Sequence, residues 1–240
     1  MFIADHAIIM AAGMGIRMRP LTEKIPKPLV KVNGTAMIET IIQGLHSQHI
    51  EEIYIVVGYQ KEKFQFLTEK YPHITLVENP YYQTRNNISS MYAVREHIPN
   101  AMMVDGDQVI YNREILDPTF ERSGYSAAFR KEGVSEWMAV LDEEGIIKDC
   151  IVETNSAGWQ LLGVSRWNLE DGTRLKEQLE YEYEVKKNYG SYWDNLPLLY
   201  YRDTYQLGVK EAQYTDILEI DSFEDLCNID PSYKTYGQGI

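Results

Sequence analysis

The sequence predicts an α/β fold: a Rossmann-like, mixed, mostly parallel sheet flanked by helices, with an antiparallel extension in its second half. Three observations predict it. Short apolar runs alternate with helical spacings up to about residue 105, the pattern of right-handed βαβ units. Beyond residue 120, strand patterns follow one another without intervening helices. The 240 residues, 44% hydrophobic and 25% charged, are also enough to bury a core without a disulfide or metal staple.

The elements can be read in order. Ala7-Ile8-Ile9-Met10-Ala11 is an uninterrupted apolar run bounded by glycine, as expected of a strand buried on both faces. Residues 36–49 place Met37, Ile38, Ile41, Ile42 and Leu45 at helical spacing. A second strand, residues 53–57, closes at Gly58. A helix follows over residues 61–71, with Phe64, Leu67 and Tyr71 on one side. A third strand over 74–77 stops at Asn79-Pro80. A helical segment over 87–98 leads to a strand over 101–104, which runs into Asp105-Gly106-Asp107. Residues 125–129, 137–141, 146–152 and 160–164 read as four further strands, with Asp142-Glu143-Glu144-Gly145 as a hairpin loop. A long polar helix is expected over 168–187, and a short one over 222–227 capped by Ser222. There is no internal repeat or low-complexity linker, so residues 1–240 are expected to form a single domain.

Charge narrows the function. Twenty-three Lys+Arg against 36 Asp+Glu leave a net charge of −13, which argues against nonspecific binding to nucleic acid or an anionic membrane. Cys150 and Cys227 lie far apart with no CxxC spacing, which suggests neither a zinc site nor a disulfide framework. His6, His46, His49, His73 and His97 show no metal-ligand pattern. The first 15 residues carry Asp5 and no basic leader, and no stretch approaches 18 apolar residues. The expectation is a soluble, cytoplasmic protein; the sequence leaves its oligomeric state, homo-oligomer included, open.

The most informative segment is Ala11-Ala12-Gly13-Met14-Gly15-Ile16-Arg17-Met18-Arg19-Pro20-Leu21-Thr22. Small residues after a buried strand let backbone N–H groups come close to an anion. It is not a dinucleotide fingerprint, because Met18 stands where the third glycine belongs. It is not a Walker A loop either, because no Gly-Lys-Ser/Thr follows. A lone Gly-x-Gly serves a structural turn as readily as a ligand. The basic continuation adds weight: Arg17, Arg19, Lys24 and Lys27 cluster in an acidic chain, and Pro26 and Pro28 stiffen the backbone on both sides of Lys27. A lysine held in this way acts as a fixed point charge suited to a phosphate.

This signature, continued by Pro26-Lys27-Pro28-Leu29, closely resembles that of nucleotidyltransferases that use a nucleoside triphosphate to activate a phosphorylated acceptor. Met18 stands where leucine is common. The resemblance spans roughly residues 7 to 228. It implies that residues 1–120 mainly bind nucleotide and 121–240 mainly bind the acceptor. It places Ala11, Ala12, Gly13, Gly15, Arg17, Gly58, Tyr59, Asn86, Ser90 and Asp107 at the nucleotide. It assigns catalysis to Lys27, Arg17, Asp107 and Asp221, with Mg²⁺ as cofactor on Asp107 and Asp221. Asp105 is read either as support for the metal site or as a strand terminator.

Sugar-1-phosphate members generally carry a Glu-Lys-Pro motif where this chain has Val152-Glu153-Thr154-Asn155. The second half resembles instead the small bacterial phosphocholine cytidylyltransferases, through Asn86-Asn87-x-x-Ser90-x-Tyr92, Ser135-Glu136-Trp137, Tyr192-Trp193-Asp194-Asn195 and Glu219-Ile220-Asp221-Ser222. Related enzymes that load CTP onto 2-aminoethylphosphonate share much of this layout. The partners implied are CTP and a small cationic phosphorylated acceptor, held by Trp137, Tyr192, Trp193 and Asp194. Aromatic density supports a cationic acceptor independently: residues 181–205 hold seven tyrosines and one tryptophan in a chain that is 12% aromatic. Tyr181 and Tyr183 cannot share one helix face, so at most one of them is expected at a site. A noncatalytic nucleotide sensor is the competing reading. Arg17, Lys27, Asp107 and Asp221, all present, favour an enzyme.

Overall fold

The computed structural model describes residues 1–236; the side chains of Glu153 and Thr154, within the segment that replaces the Glu-Lys-Pro motif, lie outside the described residues. The main sheet is built from β1 (His6–Ala11), β2 (Ile53–Val57), β3 (Ile74–Glu78), β4 (Ala101–Asp105), β6 (Gly124–Leu141), β7 (Ile147–Arg166) and β8 (Gly208–Glu211). Its order is β8-β6-β7-β4-β1-β2-β3. Pairs β4–β1, β1–β2, β2–β3 and β6–β8 are parallel, whereas β6–β7 and β7–β4 are antiparallel. The sheet is therefore mixed and mostly parallel, and strands from both halves of the sequence share it. A separate ribbon pairs β5 (Gln108–Ile110) with β9 (Ile217–Glu219); neither strand was legible in the sequence, because each is only three residues long.

Helices cover both faces. The period of two along β1 sends Ile9 to one face and Ile8 to the other. On the first face α1 (Met37–Ser47) packs Ile38, Ile41, Ile42 and Leu45, all fully buried. At about 1.5–3 kcal/mol per buried aliphatic side chain, that stripe contributes about 6–12 kcal/mol before chain entropy is subtracted. On the same face lies α2 (Gln65–Lys70) with Leu67. On the second face lie α3 (Ile88–Ala93) with Ile88 and Met91, and α4 (Leu169–Glu180) with Leu175 and Leu179. The chain closes with α5 (Phe223–Ile229), where Ser222 and Asp225 form a reciprocal capping box.

Several boundaries differ from the expectations. The four expected strands of the second half are two long ones, β6 and β7, forming a bent hairpin whose register shifts at Arg130/Val134 and again around Met138. Bulges break the alternation that would have marked continuous strands. The turn between them is the expected one: Asp142 accepts from the amides of Glu144 and Ile146, and Gly145 takes φ 74°. The helix expected over 168–187 ends at Glu180 and widens into a π turn at Tyr181–Val185. The helices expected over 61–71 and 87–98 shorten likewise to α2 and α3, each flanked by a tight turn.

Candidate active site

The strand order reverses at β1, with β2 and β3 on one side and β4 on the other. Loops leaving β1 and β4 must diverge there, and a crevice opens at the carboxyl ends of the strands. A cavity of about 860 Å³ occupies that position. The end of β1 and the loop after it line the cavity from Ala11 to Arg17, the end of β4 and the turn after it contribute Asp105 and Asp107, and the hairpin β6–β7 walls the far side.

One end is charged. Gly15 takes φ 58°, and a Cβ there would come within 2.9 Å of the Lys27 Cβ, so only glycine lets the loop lie against Lys27. Thr22 Oγ1 donates to the Gly15 carbonyl at 2.8 Å and fixes the turn. Gly13 has open space around it, leaving its backbone approachable from the cavity. Lys27 is 7% exposed, and its ammonium donates to Asp107 Oδ2 at 2.7 Å and to Asp221 Oδ1 at 3.1 Å. Burial opposes the charge on Lys27, but Asp107 and Asp221 together hold its pKa above the usual lysine value. Arg17 pairs with Asp221 at 2.6 Å from an exposed position.

Asp107, Glu219 and Asp221 present carboxylate oxygens within 4.8 Å of one another. Glu219 opens onto the cavity, yet desolvation in the cleft, then Asp107 and Asp221, push its carboxyl up to about 8. Asp105 is raised well above the usual carboxylate range by burial, then by Asp107 and Asp194. All-oxygen carboxylate donors are the ligand type of a hard divalent cation, so the cluster fits such an ion.

The other end is aromatic. Trp137 and Tyr192 meet edge to face with centroids 6.2 Å apart. Trp193, 4% exposed, stacks on Tyr125 at 6.3 Å and meets Trp167 edge-on at 6.1 Å. Among the described residues the Trp193 indole nitrogen has no hydrogen-bond partner. Asp194 keeps some surface toward the cavity but lies deep in the protein; desolvation pushes its carboxyl up to about 7, although the Tyr125 hydroxyl, donating at 3.0 Å, works the other way. Among the described residues no lysine or arginine pairs with Asp194.

The cavity brings together Ala11, Ala12, Gly13, Gly15, Arg17, Lys27, Ser90, Asp107, Trp137, Tyr192, Trp193, Asp194 and Asp221. Gly58, Tyr59 and Asn86 do not line it. A Cβ on Gly58 would meet the Tyr82 ring at 2.8 Å, so this glycine answers a packing demand. The Tyr59 amide donates to the Ala12 carbonyl and braces the loop from behind. Asn86 spends its amide group on the Gly190 carbonyl and its carbonyl on the Asn87 amide. Glu219, Tyr125 and Asn87 line the cavity without having been singled out individually. The carboxylate alternation Glu219-Ile220-Asp221 was the available signal for Glu219; nothing local to Tyr125 announces its contact with Asp194, 69 residues away.

Most of the tyrosines of residues 181–205 lie elsewhere. Tyr183 and Tyr189, with Tyr81, surround the Arg85 guanidinium, and Tyr183 also hydrogen-bonds it. Tyr201 donates to Glu182, and Tyr205 donates to Gln178 beside Trp167. Neither Tyr181 nor Tyr183 lines the cavity.

Residues 7–169 match the family described as the MobA-like NTP transferase domain. The chain belongs to that family. Within the wider set of relatives, it is 36% identical over 230 residues to a 2-aminoethylphosphonate cytidylyltransferase of Lancefieldella rimae, covering 95% of this chain and 93% of the relative. It is 35% identical over 228 residues to a choline-phosphate cytidylyltransferase of Streptococcus pneumoniae, covering 95% and 98%. The solved structure of the CTP:phosphocholine cytidylyltransferase from Streptococcus pneumoniae superposes with a TM-score of 0.88 at 35% identity, covering 95% of this chain and 98% of that one. That superposition spans nearly the whole of both chains, so the fold is shared along their length.

Proposed function

We propose that this protein is a cytidylyltransferase that moves CMP from CTP to phosphocholine, giving CDP-choline and pyrophosphate. The observation that carries the reading is the aromatic end of the cavity, where Trp137, Tyr192, Trp193 and the Asp194 carboxyl line the same space as the phosphate-type loop. Ring faces attract a quaternary ammonium by about 0.5–2 kcal/mol per good contact, and a carboxylate beside them adds a full opposite charge. Likeness to choline-phosphate cytidylyltransferases over nearly the whole chain supports it.

One acceptor phosphate oxygen attacks the α-phosphorus as the bond to the β-phosphate oxygen breaks opposite, and pyrophosphate leaves. The attacking oxygen is already anionic near neutral pH, so no side chain needs to take a proton. The work left to the chain is alignment and charge neutralisation. Lys27, on a proline-braced turn, neutralises the α-phosphate. Arg17 and the amides around Gly13 hold the outer phosphates. The Ser90 hydroxyl accepts from Asn79 at 2.9 Å, which leaves its own proton to donate to the base edge. Asp107, Asp221 and Glu219 would hold Mg²⁺, which screens the triphosphate and raises the electrophilicity of the phosphorus when bound. We assign the protein to the cytoplasm, where CTP is present and thiols such as Cys150 and Cys227 stay reduced.

A second reading, transfer to 2-aminoethylphosphonate, is favoured by the Lancefieldella rimae relative. Pyrophosphate release with Mg²⁺, crossing CTP and UTP against phosphocholine, 2-aminoethylphosphonate and glucose-1-phosphate, separates the readings. We expect turnover with CTP and phosphocholine. Turnover with 2-aminoethylphosphonate instead would keep the transfer chemistry and replace the acceptor. No turnover with any pair would favour a noncatalytic role.

A further inference from the structure

The acceptor wall, residues 189–194, leaves α4 through irregular chain, yet it carries Trp193 and Asp194 to the floor of the cavity. Irregular backbone holds a position only where something fixes it, and here the fixing residues come from the opposite half of the sequence. The Asn86 amide donates to the Tyr189 carbonyl at 2.9 Å, and the Asn86 side chain donates to the Gly190 carbonyl at 3.1 Å. Asn87 Oδ1 then accepts from the Trp193 backbone amide at 2.9 Å, 106 residues away. Asn87 itself sits on a firm base. It precedes α3, whose first turn is pinned by Asn79 donating to Ser89 and Ser90 at 2.9 Å each, and whose Ile88 and Met91 are fully buried.

We propose that Asn87 is a positioning residue for the acceptor: by accepting from the Trp193 amide it sets where the Trp193 ring and the Asp194 carboxyl stand. The proposal rests on the acceptor reading given above for Trp193 and Asp194. The register is local and direct. Trp193 is the residue that Asn87 holds, its ring packs against Tyr125, and the next residue presents the carboxyl that Tyr125 meets from the far side.

The test is Asn87→Ala, assayed by pyrophosphate release with CTP and two acceptors: phosphocholine, and ethyl phosphate, which lacks the cation. We expect KM for phosphocholine to rise about tenfold, the size of one hydrogen bond of about 1.4 kcal/mol. Turnover of ethyl phosphate and KM for CTP should stay within about twofold of the unmodified protein. Equal losses with both acceptors would mean general damage, and a rise confined to KM for CTP would place Asn87 at the nucleotide; either result overturns the proposal. A second measurement does not depend on turnover. Hydrogen exchange at the Trp193 amide should accelerate at least tenfold in Asn87→Ala while the β1 and β2 amides keep their protection. Unchanged exchange there would overturn the proposal even if no acceptor is ever turned over. A lack of turnover in the unmodified protein would count against the acceptor reading alone.

Discussion

The two ends of the cavity solve the same electrostatic problem in opposite ways. At the charged end, Asp107 and Asp221 share the ammonium of Lys27 at 2.7 and 3.1 Å, with Arg17 outside them, so the protein supplies its own counter-charge. At the aromatic end, Asp194 is met by the Tyr125 hydroxyl and its own backbone amide but, among the described residues, by no lysine or arginine, and its carboxyl rises to about 7. Burying a carboxyl without a cation is unfavourable, and groups perturbed in this way cluster at functional sites. The aromatic cluster at Arg85 provides the contrast: Tyr81, Tyr183 and Tyr189 already enclose a guanidinium of the chain itself. Ring density alone therefore does not separate the two clusters; the difference on which the acceptor proposal rests is that, among the described residues, no lysine or arginine pairs with Asp194.

The largest effect should come from the charged end. Lys27→Ala is expected to lower kcat by about 10²–10³-fold and to change KM for the acceptor by less than about threefold, read from initial rates of pyrophosphate release. Unchanged turnover would remove Lys27 from the α-phosphate. Asp107→Asn should abolish the Mg²⁺-dependent rate while leaving the far-UV circular dichroism intact; a normal Mg²⁺ titration would break the assignment.

Next in size is Asp194→Asn, expected to raise KM for phosphocholine by about 30-fold with little change in KM for CTP. It should also stabilise the fold. A carboxyl raised in the folded state still holds its proton after the unfolded chain has lost it, so stability falls as pH climbs from about 4 to about 7. Above that range the ionised Asp194 remains a cost, which the amide removes. Thermal melts at about pH 8 should therefore show a higher Tm for the variant, and a lower one would contradict the burial argument.

Smaller again is Trp137→Ala, which should raise KM about fivefold for a trimethylammonium acceptor and less for a primary amine. Equal effects would make Trp137 a packing residue. Smallest is Tyr183→Phe at the Arg85 cluster: Tm should drop by about 2–4 °C with no change in any KM. A change in KM would erase the distinction between the two aromatic clusters.

The legible parts of the molecule are those whose chemistry is contiguous in the chain. The loop Ala11 to Arg17, the proline-braced Lys27 and the acidic strand end at Asp107 carry their constraints in neighbouring residues, so sequence order alone locates them. The same holds for β1, β2 and α1, whose apolar periods are unbroken. The aromatic end is assembled from β6, β7 and the segment after α4, and its decisive contacts, Tyr125 to Asp194 and Asn87 to Trp193, join residues 69 and 106 positions apart. Bulges hid the continuity of β6 and β7 for a related reason, since each shift resets the alternation. The resemblance placed Asn86 at the nucleotide, whereas its side-chain amide and carbonyl both bind backbone groups of the protein, a use that no local pattern encodes.

The most direct test of a cation-binding floor is a comparison of phosphocholine with ethyl phosphate, as acceptors for CTP, in the unmodified protein and in Asp194→Asn. The unmodified protein should prefer phosphocholine by about 100-fold in kcat/KM, and most of this preference should be gone in the variant. A preference that survives the loss of the Asp194 charge, or one that never existed, would contradict a cation-binding floor.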